Sequence, residues 1–123
     1  MVLVGEMVPG GFDSGPAFRT LENHKLAARF GSEFGADLLK TPYCDNFEEV
    51  VRSDYTPIVV PGGSKMTSEQ LLTMVYNAVK AGAVGCAVGR NVWGAADPTK
   101  MTAALAAVIH GGASVAEAMK LLG

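Results

Sequence analysis

The sequence predicts an α/β protein in which helices pack against a parallel sheet. Short apolar runs alternate along the 123 residues with longer amphipathic stretches, in the order β-α-β-α-β-α-β-α and then one further helix. This alternation is typical of parallel strands joined by crossover helices. Because 49% of the residues are hydrophobic and 18% are charged, the composition excludes a disordered chain. The length predicts a single domain, residues 1–123.

The first strand is predicted from the apolar run at residues 2–4, which leads to Glu6. A glycine-rich loop follows over residues 9–16. Apolar side chains at helical spacing then predict a helix from about residue 17 to residue 34. Gly35 is a typical C-terminal stop for that helix.

The next two strands are short apolar runs bounded by glycine or proline. Residues 36–41 form a run too brief for a helix, so we expect a strand that ends near Lys40. A brief helix is predicted over residues 47–52, with Asp45 as its cap. Residues 57–61 give the clearest strand, since the uninterrupted apolar run suits a parallel strand buried on both faces.

A longer helix and a fourth strand follow the third strand. Thr67 or Ser68 is expected to open the helix, and Gly82 is expected to close it. The apolar run at residues 84–88 then predicts the fourth strand. Together with the earlier runs, this gives four parallel strands, each followed by a helix.

Two capping patterns predict the C-terminal helices. Asp97 followed by Pro98 is a cap with proline at the first helical position. Ser114 and Glu117 have the spacing of a capping box, which opens the last helix. Glycines at residues 111–112 separate the two helices.

Charge, hydropathy and cysteine content exclude several classes of partner. The net charge is −2 with no basic stripe, so we expect no nucleic-acid partner. No apolar run approaches the ~20 residues of a membrane span, so we expect no membrane partner. The start of the chain lacks a basic segment typical of secretion signals, and Cys44 and Cys86 are too few for a disulfide framework. These features favour a cytoplasmic protein. His24 and His110 are expected at the surface and have no companion at metal-ligand spacing, so no metal is expected.

Lys40 is the sharpest candidate for chemistry. It ends a strand of leucines, and in parallel α/β folds functional sites form at the carboxyl ends of strands. A lysine pointing inward there would be partly desolvated, which favours the neutral amine that attacks a carbonyl to form a Schiff base. The alternative is a strand-end lysine whose ammonium group extends to solvent.

Glycines follow the third and fourth strands and predict an anion site. Gly62 and Gly63 follow one strand, and Gly89 with Arg90 follows the next. Bare backbone N–H groups and an arginine can bind a phosphate group. The alternative is that these glycines serve turns with positive φ.

Three segments in order resemble a known family. Residues 36–43 (ADLLKTPY), 60–65 (VPGGSK) and 87–93 (AVGRNVW) are similar to motifs of the archaeal-type class I fructose-bisphosphate aldolases of the DeoC/LacD superfamily. The resemblance covers essentially the whole chain. It implies a TIM (β/α)8 barrel, of which this chain would supply the C-terminal half as a partial barrel domain.

The resemblance also implies an activity. Lys40 matches the Schiff-base lysine of the family, and Gly62, Gly63, Gly89 and Arg90 match its phosphate site. The implied substrate is a phosphorylated sugar or ketone such as fructose 1,6-bisphosphate. Reversible carbon–carbon cleavage would give dihydroxyacetone phosphate and an aldehyde, with no cofactor.

One position departs from the family and keeps other functions open. The aldolases carry an acid/base tyrosine where this chain has Val8, and a valine there resembles a related thiolase that processes a phosphorylated autoinducer. Glu6 is our hypothesis for the substitute proton carrier. The alternatives are a lysine-dependent thiolase or transaldolase-like enzyme, a catalytically silent phosphate-binding half-barrel, and a flavodoxin-like open sheet.

A half-barrel leaves two sheet edges and one sheet face uncovered. We therefore expect this chain either to be a fragment of a longer protein or to pair with a second half. The second half would be another copy, giving a homo-oligomer, or the missing N-terminal half.

Overall fold

A computed structural model describes residues 1–123 and contains four strands and six α-helices. The strands are β1 (Val4–Glu6), β2 (Leu38–Lys40), β3 (Ile58–Pro61) and β4 (Gly85–Ala87). The helices are α1 (Leu21–Glu33), α2 (Phe47–Arg52), α3 (Ser68–Lys80), α4 (Arg90–Trp93), α5 (Pro98–Gly111) and α6 (Val115–Lys120). A single 3-10 turn, Pro16–Phe18, precedes α1.

The strands form one parallel sheet in the order β1-β2-β3-β4. Because each strand lies beside its predecessor, the order never reverses. A doubly wound, flavodoxin-like sheet reverses its strand order at a switch point, so that alternative is wrong. Four parallel strands in sequential order, each followed by a helix, form half of a (β/α)8 barrel, as the resemblance to the aldolase family implies.

Helices cover only one face of the sheet. Leu39, Ile58 and Val60 are fully buried on that face and pack in one cluster with residues of α1, α2 and α3. Val59 and Pro61, which point to the other face, are only half-buried. The expectation that β3 is buried on both faces is therefore wrong, since no element of the chain covers the second face.

A second core cluster lies between α3, α5 and α6. The caps of these helices confirm the sequence patterns. Thr67 and Gln70 form a capping box at the start of α3, and Ser114 and Glu117 form another at the start of α6. The Asp97 side chain accepts a hydrogen bond at the start of α5. Each such cap stabilises a helix by about 1 kcal/mol.

Two helix starts differ from the expectation. Helix α1 begins at Leu21 rather than near residue 17, because the Thr20 side chain caps it by accepting from the N–H of Asn23. Helix α2 has the expected bounds, but its cap position is Asn46 in the left-handed region (φ 56°) with no side-chain capping bond. Asp45 is therefore not the cap.

His24 and the segment after β4 were also mispredicted. His24 is 1% exposed rather than at the surface, with Nδ1 2.8 Å from the carbonyl oxygen of Thr20. His110 is exposed, as expected. The short helix α4 was not predicted; it begins directly at Arg90, within what appeared from the sequence to be a loop.

A polar cluster joins the C-terminal end of α1 to the start of β3. The Ser32 hydroxyl contacts Asp54 and lies 2.8 Å from the Thr56 hydroxyl, and Asp54 also accepts from the backbone N–H of Thr56. Burial raises the pKa of the Asp54 carboxyl, but hydrogen bonds from Ser32 and Thr56 and the charge of Arg29 outweigh it and lower that pKa. The cluster lies at the end of the sheet opposite Lys40.

Candidate active site

Lys40 and Glu6 form an ion pair on the open face of the sheet. They are direct partners in the β1–β2 register, so both side chains project from the same face. Lys40 Nζ lies 2.8 Å from Glu6 Oε1. The Lys40 side chain is 24% exposed and that of Glu6 is 39% exposed. Lys40 therefore does not extend freely into solvent, and its ammonium group has a carboxylate within proton-transfer distance.

The glycine loops after β3 and β4 lie next to each other. Arg90 Nη2 donates to the carbonyl oxygen of Gly63 at 3.2 Å. No carboxylate pairs with the Arg90 guanidinium. Its positive charge is thus available to an anion.

One cleft brings the six candidate residues together. An open cavity of about 220 Å³ is lined by Glu6, Lys40, Gly62, Gly63, Gly89 and Arg90. Phe12, Asn91 and Trp93 also line it. The cleft thus combines an amine, a carboxylate, a guanidinium and bare backbone, which suits a small anionic ligand with a carbonyl group.

The glycines of this cleft are required for different reasons. Gly63 has φ +64°, and a Cβ there would point into open space. A Cβ at Gly62 would lie 2.6 Å from Val88, and one at Gly89 would lie 2.5 Å from the indole ring of Trp93. Positive φ therefore explains only Gly63, while the other two glycines allow side chains to pack against the backbone.

Asn91 is a residue of this site that the sequence reasoning did not single out. It is 8% exposed, and its side-chain amide hydrogen-bonds to three residues of the loop after β3. The signal in the sequence was a polar residue directly after Gly89 and Arg90. Its partners lie 25 to 29 positions away, so spacing along the chain did not reveal the contact.

A second cavity of about 490 Å³ adjoins the cleft and shares Glu6 and Arg90 with it. Val8, Arg19 and Tyr43 line it as well. Arg19 is held in the loop after β1 by hydrogen bonds to two backbone carbonyls, each at 3.0 Å.

The neighbouring cysteine is a poor nucleophile. Burial and the charge of Asp45 raise the pKa of the Cys44 thiol to about 11, so it is protonated at neutral pH. Burial likewise raises the pKa of the Cys86 thiol. Neither cysteine lines the cleft, whereas Lys40 does.

No group of three or more His, Cys, Asp or Glu side chains is arranged to hold a metal ion. None of the helices has the length and hydropathy needed to span a membrane.

Comparisons of the sequence and the structure with known proteins agree on a family of aldolases. The sequence model of the DeoC/LacD family aldolases matches residues 1–95. An uncharacterized aldolase of Saccharolobus solfataricus is 40% identical over 114 residues, which are 89% of this chain and 42% of that protein. A 2-amino-3,7-dideoxy-D-threo-hept-6-ulosonate synthase of Archaeoglobus fulgidus is 43% identical over 85% of this chain and 40% of its own length.

Two further similarities concern a thiolase and a solved structure. A 3-hydroxy-5-phosphonooxypentane-2,4-dione thiolase of Salmonella typhimurium is 41% identical over 69% of this chain and 30% of its own length. The crystal structure of an archaeal fructose 1,6-bisphosphate aldolase superposes with a TM-score of 0.81 at 37% identity, over 91% of this chain and 46% of that chain. The chain therefore spans less than half the length of each of these relatives.

Proposed function

The chain belongs to the DeoC/LacD family of aldolases, and from that membership we propose that it carries the lysine and phosphate site of a Schiff-base aldolase. The proposed substrate is a phosphorylated sugar or ketone such as fructose 1,6-bisphosphate. The observation that carries the proposal is the cleft in which the Lys40–Glu6 pair lies beside Arg90 and the loops after β3 and β4.

The first step is imine formation at Lys40. Its ammonium group transfers a proton to the Glu6 carboxylate at 2.8 Å, and the neutral amine attacks the ketone carbon. The resulting carbinolamine takes a proton on its hydroxyl group and loses water. The product is a positively charged iminium between Lys40 and the substrate carbon.

The second step is carbon–carbon cleavage. Glu6, again a carboxylate, removes the proton from the hydroxyl group β to the iminium carbon. The bond between the α and β carbons breaks, its electron pair moves toward the iminium nitrogen, and an aldehyde leaves. Protonation of the enamine and hydrolysis of the iminium release the ketone and restore Lys40. Arg90 and the backbone N–H groups beside Gly62 and Gly63 hold the phosphate throughout.

Borohydride trapping tests the proposal. The chain is incubated with dihydroxyacetone phosphate or fructose 1,6-bisphosphate, reduced with borohydride and digested for mass spectrometry. We expect an adduct on Lys40 that Lys40→Arg abolishes. Lys100→Ala, which removes an exposed lysine on α5 outside the cleft, should leave it unchanged. No adduct with any phosphorylated ketone would contradict the proposal and favour a silent phosphate-binding half-barrel.

A thiolase is the second candidate function, because Val8 stands where the aldolases carry tyrosine and a thiolase is among the relatives. Both reactions use the same imine, but a thiolase transfers the acyl fragment to a thiol. An adduct on Lys40 without aldol cleavage, together with acyl transfer from a phosphorylated β-diketone to a thiol, would favour this candidate.

We further propose that a second half-barrel covers the open sheet face. A compact 12.8 kDa protein exposes about 6,300 Å², whereas this chain exposes 7022 Å². Leu26, Phe30 and Phe34, spaced four residues apart, are exposed along and just after α1. Leu26 and Phe30 line a surface groove with Met7 and Val8, which directly follow β1. The second half is another copy, another chain or further sequence of the same polypeptide. Light scattering after size exclusion tests pairing of the 123-residue chain, and a well-behaved monomer would contradict it.

A further inference from the structure

We propose that Asn91 is the positioning residue of the phosphate site. It would aim the backbone N–H groups of the loop after β3 at the ligand. The inference rests on the proposed function in one respect, that the cleft takes a phosphorylated substrate. It adds a role for a residue that touches the loop rather than the reacting carbons.

The side-chain hydrogen bonds of Asn91 are all with backbone atoms. Its Nδ2 donates to the carbonyl oxygens of Gly62 (3.1 Å) and Ser64 (3.0 Å), and its Oδ1 accepts from the N–H of Met66 (2.9 Å). One amide thus holds a five-residue loop at three points. Between the carbonyls of Gly62 and Ser64 lies that of Gly63, which accepts a hydrogen bond from Arg90 at 3.2 Å. Residues 90 and 91 together therefore hold three consecutive carbonyl groups of the loop.

The orientation of these carbonyls fixes that of the N–H groups. In a trans peptide the C=O of one residue and the N–H of the next point in opposite directions, and the chain contains no cis peptide bond. Holding the carbonyls of residues 62–64 toward α4 therefore turns the N–H groups of residues 63–65 away from it.

Those N–H groups lack acceptors within the protein. None of residues 62–65 donates a backbone N–H to a backbone or side-chain acceptor. Successive N–H groups in a turn conformation can form a concave site for an anion. Gly63, with φ +64° and open space at its Cβ position, lets a ligand approach them closely.

The chemistry of the contact requires an amide. An aspartate has the same shape, but it has no N–H to offer the carbonyls of Gly62 and Ser64 and would place a negative charge beside them. An alanine would leave both carbonyls without this donor. The loss of a buried partner typically weakens an interaction about 10- to 100-fold. We therefore expect Asn91→Asp and Asn91→Ala to weaken phosphate binding by that factor.

The experiment compares two ketones that differ only in the phosphate. Borohydride trapping on Lys40 is measured against concentration for dihydroxyacetone phosphate and for dihydroxyacetone. For Asn91→Asp we expect a 10- to 100-fold higher half-saturating concentration of the phosphorylated ketone, an unchanged trapping rate at saturation, and unchanged trapping of dihydroxyacetone. Asn77→Asp makes the same charge change at an exposed position on α3 and should match the wild type.

A second readout separates this proposal from the proposed function. Inorganic phosphate is titrated while the backbone amide NMR signals of residues 62–65 are followed. If no ketone is trapped but phosphate shifts these signals and Asn91→Asp weakens the effect, the Schiff-base proposal fails and the role of Asn91 stands. Equal loss with both ketones would indicate a general structural role and overturn the inference. Wild-type affinity in Asn91→Asp and Asn91→Ala, or no phosphate binding by the wild type, would also overturn it.

Discussion

Glu6→Gln tests whether the carboxylate beside Lys40 moves protons or only pairs with the amine. Glutamine keeps the size of the side chain but accepts no proton. A general acid/base group contributes about 10²- to 10⁴-fold to a rate, so we expect cleavage of fructose 1,6-bisphosphate to fall by that factor. Borohydride trapping at Lys40 should persist, because the ammonium can lose its proton to water and reduction makes each adduct permanent.

The Lys40–Glu6 ion pair contributes little to stability, so a change in rate can be interpreted as a change in proton transfer. Both side chains are partly exposed, and such pairs stabilise proteins by about 1 kcal/mol or less. Loss of the pair therefore leaves the chain folded, and a fall in rate of 10²-fold or more would reflect proton transfer. Glu33→Gln is the matched control, since it removes an exposed ion pair with Arg29 (2.7 Å) far from the cleft. Unchanged cleavage in Glu6→Gln would refute the role of Glu6.

Three further predictions concern stability and reactivity. Asp54→Asn should lower the free energy of unfolding at pH 7 by about 1 kcal/mol. Because folding lowers the pKa of Asp54, that stabilisation is present above pH ~4 and is lost as the pH falls through the folded-state pKa. Urea titrations at pH 7 and pH 3 measure the difference. Gly31→Ala should cost about 1–3 kcal/mol, because its Cβ would lie 2.5 Å from the fully buried side chain of Leu39. Gly111→Ala, with no atom within 4 Å of its Cβ, should instead stabilise α5 by about 0.5–1 kcal/mol. Thermal unfolding measures both, and equal effects would contradict the packing argument. The Cys44 thiol, with its pKa raised to about 11, should react with iodoacetamide at pH 8 more slowly than a free cysteine. A Cys44 rate equal to that of a model thiol would contradict this.

Local signals in the sequence were sufficient for most of the fold. The Asp97-Pro98 cap and the Ser114–Glu117 capping box act within one helical turn, so each could be recognised from adjacent residues. Helix α4 was missed because its four residues are too few for a periodic pattern. Burial of His24 was missed because it depends on how α1 packs against its neighbours rather than on the spacing of residues within α1.

The residues of the candidate site likewise include some that local sequence predicts and some whose roles depend on tertiary contacts. Lys40 and the glycines were predicted because each lies at the carboxyl end of a strand or in the loop after it, where sites form in parallel α/β folds, and because the segments around them resemble the aldolase motifs. The contact of Lys40 with Glu6 depends on the register of β1 against β2, 34 positions apart in the chain. The role of Asn91 depends on a loop 25 to 29 positions away. Such contacts follow from tertiary packing, which spacing along the chain does not specify.

The open sheet face connects the chemistry to the assembly. Lys40 and Glu6 project from that face, where both side chains are partly exposed to water. A second half-barrel placed over the face would remove water, and desolvation disfavours separated charges relative to the neutral amine and carboxylic acid. In the proposed mechanism the neutral amine is the nucleophile, so covering the face should increase the rate of imine formation. If pairing occurs between copies of this chain, the trapping rate per chain at saturating dihydroxyacetone phosphate should rise with protein concentration across the range in which light scattering shows association. A rate that stays constant while the chains associate would show that the covering half does not desolvate the pair.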